Sequence, residues 1–244
     1  MKKLALVAAL SAAFVSAQAA PVNSVSYGSL TGTEIVDFDD LPSASASGTN
    51  YDSTFISRGV GFGERFSGQS LGSSGNFDTL GSSASGALAV VAGTPNHNLD
   101  ILFYAGSNVL TGLGPLGYPN FDAVGEGSFA ALFSTDQSQF GFQLVGGNGG
   151  NAFISFFHRD GSLIDTLTVG SLADAFYGFS RDGGLKDIAG ISIYNEDAGG
   201  IGFDNLKHDV ESNVPGIPEP ETYALMLAGL GLLGAAARRR QGRS

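Results

Sequence analysis

The chain has 244 residues, including 37 Gly, 18 Phe and 7 Tyr but no Cys and no Trp, and its 12 basic and 23 acidic residues give a formal net charge of -11. That length suits one ordinary domain, and the missing cysteines exclude disulfides and thiolate chemistry. The acidic balance argues against a nucleic-acid binder, which would carry a basic stripe, while 43% hydrophobic against 14% charged residues leaves ample material for a core.

Residues 1–19 pair Lys2 and Lys3 with an apolar stretch from Leu4 to Val15, then Ala17 and Ala19 in a small-x-small arrangement. This pattern predicts a secretory signal peptide cut by signal peptidase after Ala19. A retained N-terminal anchor is the rival reading, but the apolar stretch falls short of the ~20 residues a bilayer core needs.

Residues 20–213 predict a single β-sandwich domain. Short apolar runs rich in Phe, Val and Ile are separated by Gly, Ser, Asn and Asp, which is the pattern of strands and turns. Predicted strands cover 34–38, 59–66, 86–91, 99–104, 128–133, 139–145, 152–158, 163–169, 175–179, 188–194 and 201–207. Two low-complexity patches, 43–50 and 67–85, interrupt them, and 106–127 reads as a long loop serving as spacer, rim or ligand-facing edge. Asn148-Gly149 and Asp160-Gly161 offer the positive φ of tight hairpins, so 139–207 predicts a continuous antiparallel meander. Within it, Phe153, Ser155 and Phe157 alternate with Ile154, Phe156 and His158, as expected of a central strand covered on both faces. Many short strands without a blade repeat, and glycine without a three-residue period, favour two packed sheets over a propeller or collagen. The expected fold is all-β, a jelly-roll-like antiparallel β-sandwich.

The last segment, 214–244, runs from a proline-rich stretch through the uncharged residues Ala224 to Ala237 into Arg238, Arg239, Arg240 and Arg243. Fourteen helical residues span only ~21 Å against a hydrocarbon core of ~30 Å. With Tyr223 at the interface and snorkelling arginines, a short C-terminal transmembrane helix with its basic end inside is nonetheless feasible. A buried soluble helix is less attractive, because the segment has no amphipathic face.

Pro218, Glu219 and Pro220, the following apolar run and the terminal Arg238, Arg239 and Arg240 together resemble the PEP-CTERM sorting signal of Gram-negative bacteria. The resemblance implies export, transient anchoring in the inner membrane by the C-terminal helix, recognition around Pro-Glu-Pro by an exosortase-type membrane protease, and delivery to the cell surface or an exopolysaccharide matrix. The same region also goes by the name of an ice-binding protein C-terminal domain. Ice binding itself needs a flat Thr-rich ladder, and no run here has one. Without both end segments, residues 20–217 keep six basic against 21 acidic residues, close to -15, which disfavours anionic lipid and DNA still further.

Within the domain, Asp37, Asp39 and Asp40 near its start and Asp204 in its last strand are candidate oxygen ligands for a structural calcium. The alternative is solvated turn residues and Asx caps. This arrangement resembles extracellular carbohydrate-binding sandwiches that hold calcium with acids from their terminal strands. Tyr104, Tyr118 and Phe121 around the long loop are candidate sugar-stacking residues, or else pins holding the loop to the core.

Other matches are weak. Residues 199–207 fit a calcium repeat that functions only when stacked, and Gly68-Gln-Ser70-Leu-Gly72 fits a nucleophile motif outside any strand-to-helix context. His97, His158 and His208 are too dispersed for a metal triad. The sequence therefore predicts a non-catalytic exported protein of the cell surface or matrix, with exopolysaccharide as the expected partner. Its competitors are a structural envelope protein and a secreted glycan hydrolase, the last requiring a cleft with a facing carboxylate pair.

Overall fold

A computed structural model describes residues 21–209; the predicted signal peptide and the sorting segment, with the transmembrane helix expected there, lie outside the described residues. In chain order the strands are β1 (Val22–Val25), β2 (Glu34–Val36), β3 (Thr49–Tyr51), β4 (Phe55–Ser57), β5 (Val60–Gly63), β6 (Arg65–Phe66), β7 (Leu71–Ser74), β8 (Phe77–Leu80) and β9 (Val90–Val91). They continue as β10 (Leu99–Tyr104), β11 (Ser107–Gly112), β12 (Phe129–Gln137), β13 (Gln139–Val145), β14 (Ala152–Phe157), β15 (Leu163–Val169), β16 (Ala175–Arg181), β17 (Ile188–Asn195) and β18 (Gly202–His208).

Two antiparallel sheets hold most of these. The larger has eight strands in the order β1-β16-β13-β18-β11-β10-β3, with β2 also paired to β18; the smaller has the order β15-β14-β17-β12-β5-β4. Alternation explains why they pack. On β13, Phe140, Phe142 and Leu144 enter the core while Gln139, Gly141 and Gln143 face away. One apolar cluster joins these residues to Phe62, Phe129, Ile154, Phe156 and Ile191 of the smaller sheet. Phe129 meets Phe203 edge-on at 4.7 Å between centroids, and Phe156 meets Phe179 at 5.7 Å, distances at which aromatic pairs attract. Burying each such ring contributes about 1.5–3 kcal/mol.

The chain path departs from the predicted meander. Strands β13, β16 and β18 lie in the larger sheet and β14, β15 and β17 in the smaller, so only Asp160-Gly161 closes a hairpin between consecutive strands, β14 and β15. Asn148-Gly149 instead carries the chain from one sheet to the other. A positive-φ dipeptide specifies a local reversal, but not which sheet receives the next strand.

Two expected loops are strands. Residues 107–112 form β11, interior to the larger sheet and paired to both β10 and β18. The strand is buried from Asn108 to Gly112, so it lacks the alternation by which a half-exposed strand is recognised. Its turn was also concealed. Tyr104 pairs with Ser107 across Ala105 and Gly106, both at positive φ (52° and 92°), and alanine is not a residue that announces such a turn.

The serine- and glycine-rich patch 67–85 folds as the β7–β8 hairpin. With its flanks it covers the outside of the smaller sheet. Phe66 and Leu88 pack there on Ala130, Phe157 and Ala189, and Gln69 Nε2 donates to Ser192 Oγ at 3.0 Å. Gly190 lies beneath: a Cβ there would stand 2.6 Å from the Phe66 ring. The expected two-sided burial of β14 follows, with Ile154 and Phe156 inward and Phe157 under this outer layer.

Candidate functional site

The outer face of the larger sheet carries a cavity of about 580 Å³. Leu99, Ile101, Leu110, Leu144 and Phe203 point into the sandwich, so Leu102, Tyr104, Val109, Thr111, Val145 and Gly202 alternate outward and form the cavity floor. Two loops build its walls. One is 121–126, where Asn120 Oδ1 accepts the N–H of Asp122 at 3.0 Å and caps a single 3-10 turn, Phe121–Ala123. The other is 198–201, whose Ile201 N–H donates to Gly125 O at 3.0 Å. Gly200 sits against Val124 O at φ 67°, so the wall can close only where the backbone carries no side chain.

A buried acid braces the second wall. Asp197 accepts the N–H groups of Asn148 and Gly150 on Oδ2, both at 2.8 Å, and that of Gly199 on Oδ1 at 3.0 Å. It thereby ties 148–150 to 197–200.

Tyr104 is 48% and Phe121 65% exposed, and both line the cavity. Large aromatic surfaces left in water beside a concavity suit stacking against a ligand ring. Tyr118 is not part of it. That residue is half-buried, and its backbone N–H donates to Asn96 O at 2.7 Å. The acidic groups of the cavity are Asp122, which is exposed, and Glu126, only 7% exposed with a buried Oε2 lacking a hydrogen-bond partner. Burial first, then the charge of Asp122, pushes the Glu126 carboxyl up to about 7. Neither acid drew notice in sequence, since both lie in the stretch read as a loop; Glu126 beside Gly125 and Gly127 offered no signal of burial.

The predicted calcium ligands are drawn partly together. Burial, the nearby carboxylates Asp39 and Asp37, and opposing hydrogen bonds from Ser107 and Asn205 leave Asp204 above the usual carboxylate range. Asp37, however, is taken by Arg58 at 3.0 Å, and Asp40 Oδ1 accepts from Ser57 Oγ at 2.6 Å. Among the described residues no group of three or more His, Asp or Glu side chains is arranged to hold a metal ion.

A second cleft, about 430 Å³, lies beside the β7–β8 hairpin and includes Glu64, Asp78 and His97. Glu64 is 1% exposed and ion-paired to Arg65. Asp78 accepts from the Ser128 N–H at 3.1 Å, and burial, with a contribution from the Glu64 charge, pushes it up to about 6. Ser70 stands at the base of the same hairpin, and residues 202–207 are an ordinary sandwich strand, so neither weak motif finds the context it needs. His97, His158 and His208 remain apart: His97 Nδ1 lies 3.3 Å from Gly114 O, and His158 Nδ1 lies 3.8 Å from Asp187 Oδ2.

Comparison with known families adds the decisive observation at the other end of the chain, where residues 216–240 match the PEP-CTERM protein-sorting motif. The chain carries a PEP-CTERM signal. The matched stretch contains Pro218, Glu219 and Pro220 and closes on Arg238, Arg239 and Arg240. A PEP-CTERM signal marks an exported protein, sorted toward the cell surface and processed by an exosortase, a membrane protease. No curated protein is significantly similar to the chain. Among the described residues no helix is long and apolar enough to cross a membrane.

Proposed function

We propose that this exported PEP-CTERM protein is a non-catalytic glycan-binding component of the cell surface or its exopolysaccharide matrix, with the outer-face cavity as its binding site. One observation carries the reading: Tyr104 and Phe121, both largely exposed, line a concavity that also holds Asp122 and Glu126. Aromatic faces stack on sugar rings, and carboxylates accept from sugar hydroxyls. The antiparallel architecture supports the same assignment, since the outer face of the larger sheet, flanked by loops, offers a platform to a polymer.

Screening the purified protein against a polysaccharide array, followed by titration of any hit, tests this. Phe121→Ala and Tyr104→Ala should each weaken binding by about tenfold or more while the fold persists, because both side chains are already largely in water. Binding that is indifferent to both substitutions would place the site elsewhere.

A second reading, glycan hydrolysis, is favoured by the second cleft, where Glu64 and Asp78 lie near enough for one charge to raise the other's proton affinity. A protonated acid beside an ionised one is what glycosidic cleavage uses. Release of reducing ends by the wild type, lost in Asp78→Asn, would establish it in place of a binding-only role.

A further inference from the structure

We propose that the glycan held by the outer-face cavity bears a free amino group, and that its ammonium is received by Glu126 and Asp122 beside the Tyr104 and Phe121 platform. The inference rests on the glycan-binding reading above and names the class of sugar.

Three observations converge on it. Among the described residues lining the cavity, the charged ones are both acids, Asp122 and Glu126; no Lys, Arg or His is among them. A glycan rich in uronate or sulfate would enter against both charges and against a domain already close to -15 over residues 20–217. Next, Glu126 is 93% buried by its 7% exposure, and its Oε2 has no hydrogen-bond partner in the folded protein. A largely buried carboxylate whose Oε2 has no donor of its own is costly to ionise, so a cation that a ligand brings beside this carboxyl is worth more here than beside one on an open surface. Finally, the nearby charge of Asp122 raises the cost of ionising Glu126. A hydroxyl can satisfy one lone pair, whereas an ammonium also removes the repulsion between the carboxylates.

The amide of an N-acetylated sugar retains an N–H but no charge, which makes it the discriminating comparison. The experiment is calorimetric titration of the purified protein with a glucosamine tetrasaccharide, its N-acetylated counterpart and a galacturonate tetrasaccharide, each also titrated into Glu126→Gln, Asp122→Asn and Phe121→Ala. Expected is at least about a tenfold preference for the amino sugar over its N-acetylated form, with the galacturonate weakest. Glu126→Gln should erase the preference while both glucosamine-type oligomers still bind. Asp122→Asn, at an exposed position, should reduce it without risk to the fold. Equal binding of amino and acetylated oligomers, lost in Phe121→Ala, would overturn the amino-group assignment and leave the glycan site standing. A preference that survives in both acid variants would reflect general attraction to an acidic surface and would also overturn it. Absence of binding by every oligomer would overturn this inference together with the reading on which it rests.

Discussion

Asp100 and Thr111 face each other as register partners on β10 and β11, with Thr111 Oγ1 donating to Asp100 Oδ2 at 3.4 Å. Asp100 is fully buried, and its Oδ1 has no partner. Gly48, at φ 75°, packs so closely on the carboxyl that a Cβ would collide with it. An acid so enclosed holds its proton more tightly than in water.

Burial pushes Asp100 up to about 7, Glu126 to about 7 and Asp78 to about 6. Between the ordinary carboxylate range near ~4 and these values, the folded state binds more protons than the unfolded chain, so stability falls as pH rises. The stabilisation is complete below the ordinary range and is lost as pH climbs through the folded values. The melting temperature should therefore be higher near pH ~5 than near ~7.5, by at least roughly 5 °C, given about 2–4 °C per kcal/mol for a domain of this size. Asp100→Asn should flatten the profile. Further acidification should reverse the gain, because Asp187, held low chiefly by its hydrogen bonds from Arg181, is then protonated and loses its ion pair with that guanidinium. A wild-type melting temperature that rises steadily from pH 5 to 7.5 would refute the assignment.

Asp197 is the clearest single brace of the cavity wall. Asp197→Ala leaves the N–H groups of Asn148, Gly150 and Gly199 without their acceptor, a loss of about 3 kcal/mol and roughly 6–12 °C in melting temperature. Asp197→Asn retains one acceptor oxygen and should lose less. Calorimetric melting of both variants provides the check; a melting temperature within about 1 °C of wild type for the alanine variant would deny the brace.

The outer layer over the smaller sheet hangs largely on Phe66. Its truncation to alanine removes a fully buried ring from contact with Phe157, at an expected cost of about 3–5 kcal/mol. Protease cleavage within 67–85 should accelerate well beyond that at other loops. Uniform cleavage across the chain would show that the layer does not come away as a local unit.

The calcium proposed at Asp37, Asp39, Asp40 and Asp204 competes with an ion pair already in place. An ion there would replace the Arg58 guanidinium as the partner of Asp37, so Arg58→Ala should make the melting temperature more responsive to added calcium than in the wild type. Indifference to calcium and to excess chelator in both proteins would remove this site from consideration.

Replacement of Pro218, Glu219 and Pro220 by alanine should leave the exported protein membrane-associated with its C-terminus intact, detected by fractionation and an antibody to the tail. Normal release of the triple variant would show that processing does not depend on this part of the matched motif.

The strands legible in advance were those with one wet and one dry face or with β-branched and aromatic runs. Residues 99–104, 139–145 and 163–169 are found with the bounds expected of them. Strand β11 is illegible because its residues are buried from Asn108 to Gly112, without alternation, and β7 and β8 because serine and glycine advertise a loop until Phe66 and Leu88 anchor their flanks to the outer face of the smaller sheet. The site divided in the same way. Tyr104 and Phe121 stand out as aromatics beside a long connection and line the cavity, whereas Tyr118 lies outside its lining and Glu126 gives no local sign of its burial.

By itself the sequence determined the all-β class, the acidic, cysteine-free character of the domain and the sorting signal, because each depends on composition or on residues adjacent in the chain. Only the tertiary structure decided which sheet each strand joins and how segments near 104, 121, 146 and 200 converge on one cavity. Those outcomes depend on contacts between residues far apart in sequence, whose loop-closure cost is offset only when the whole core assembles.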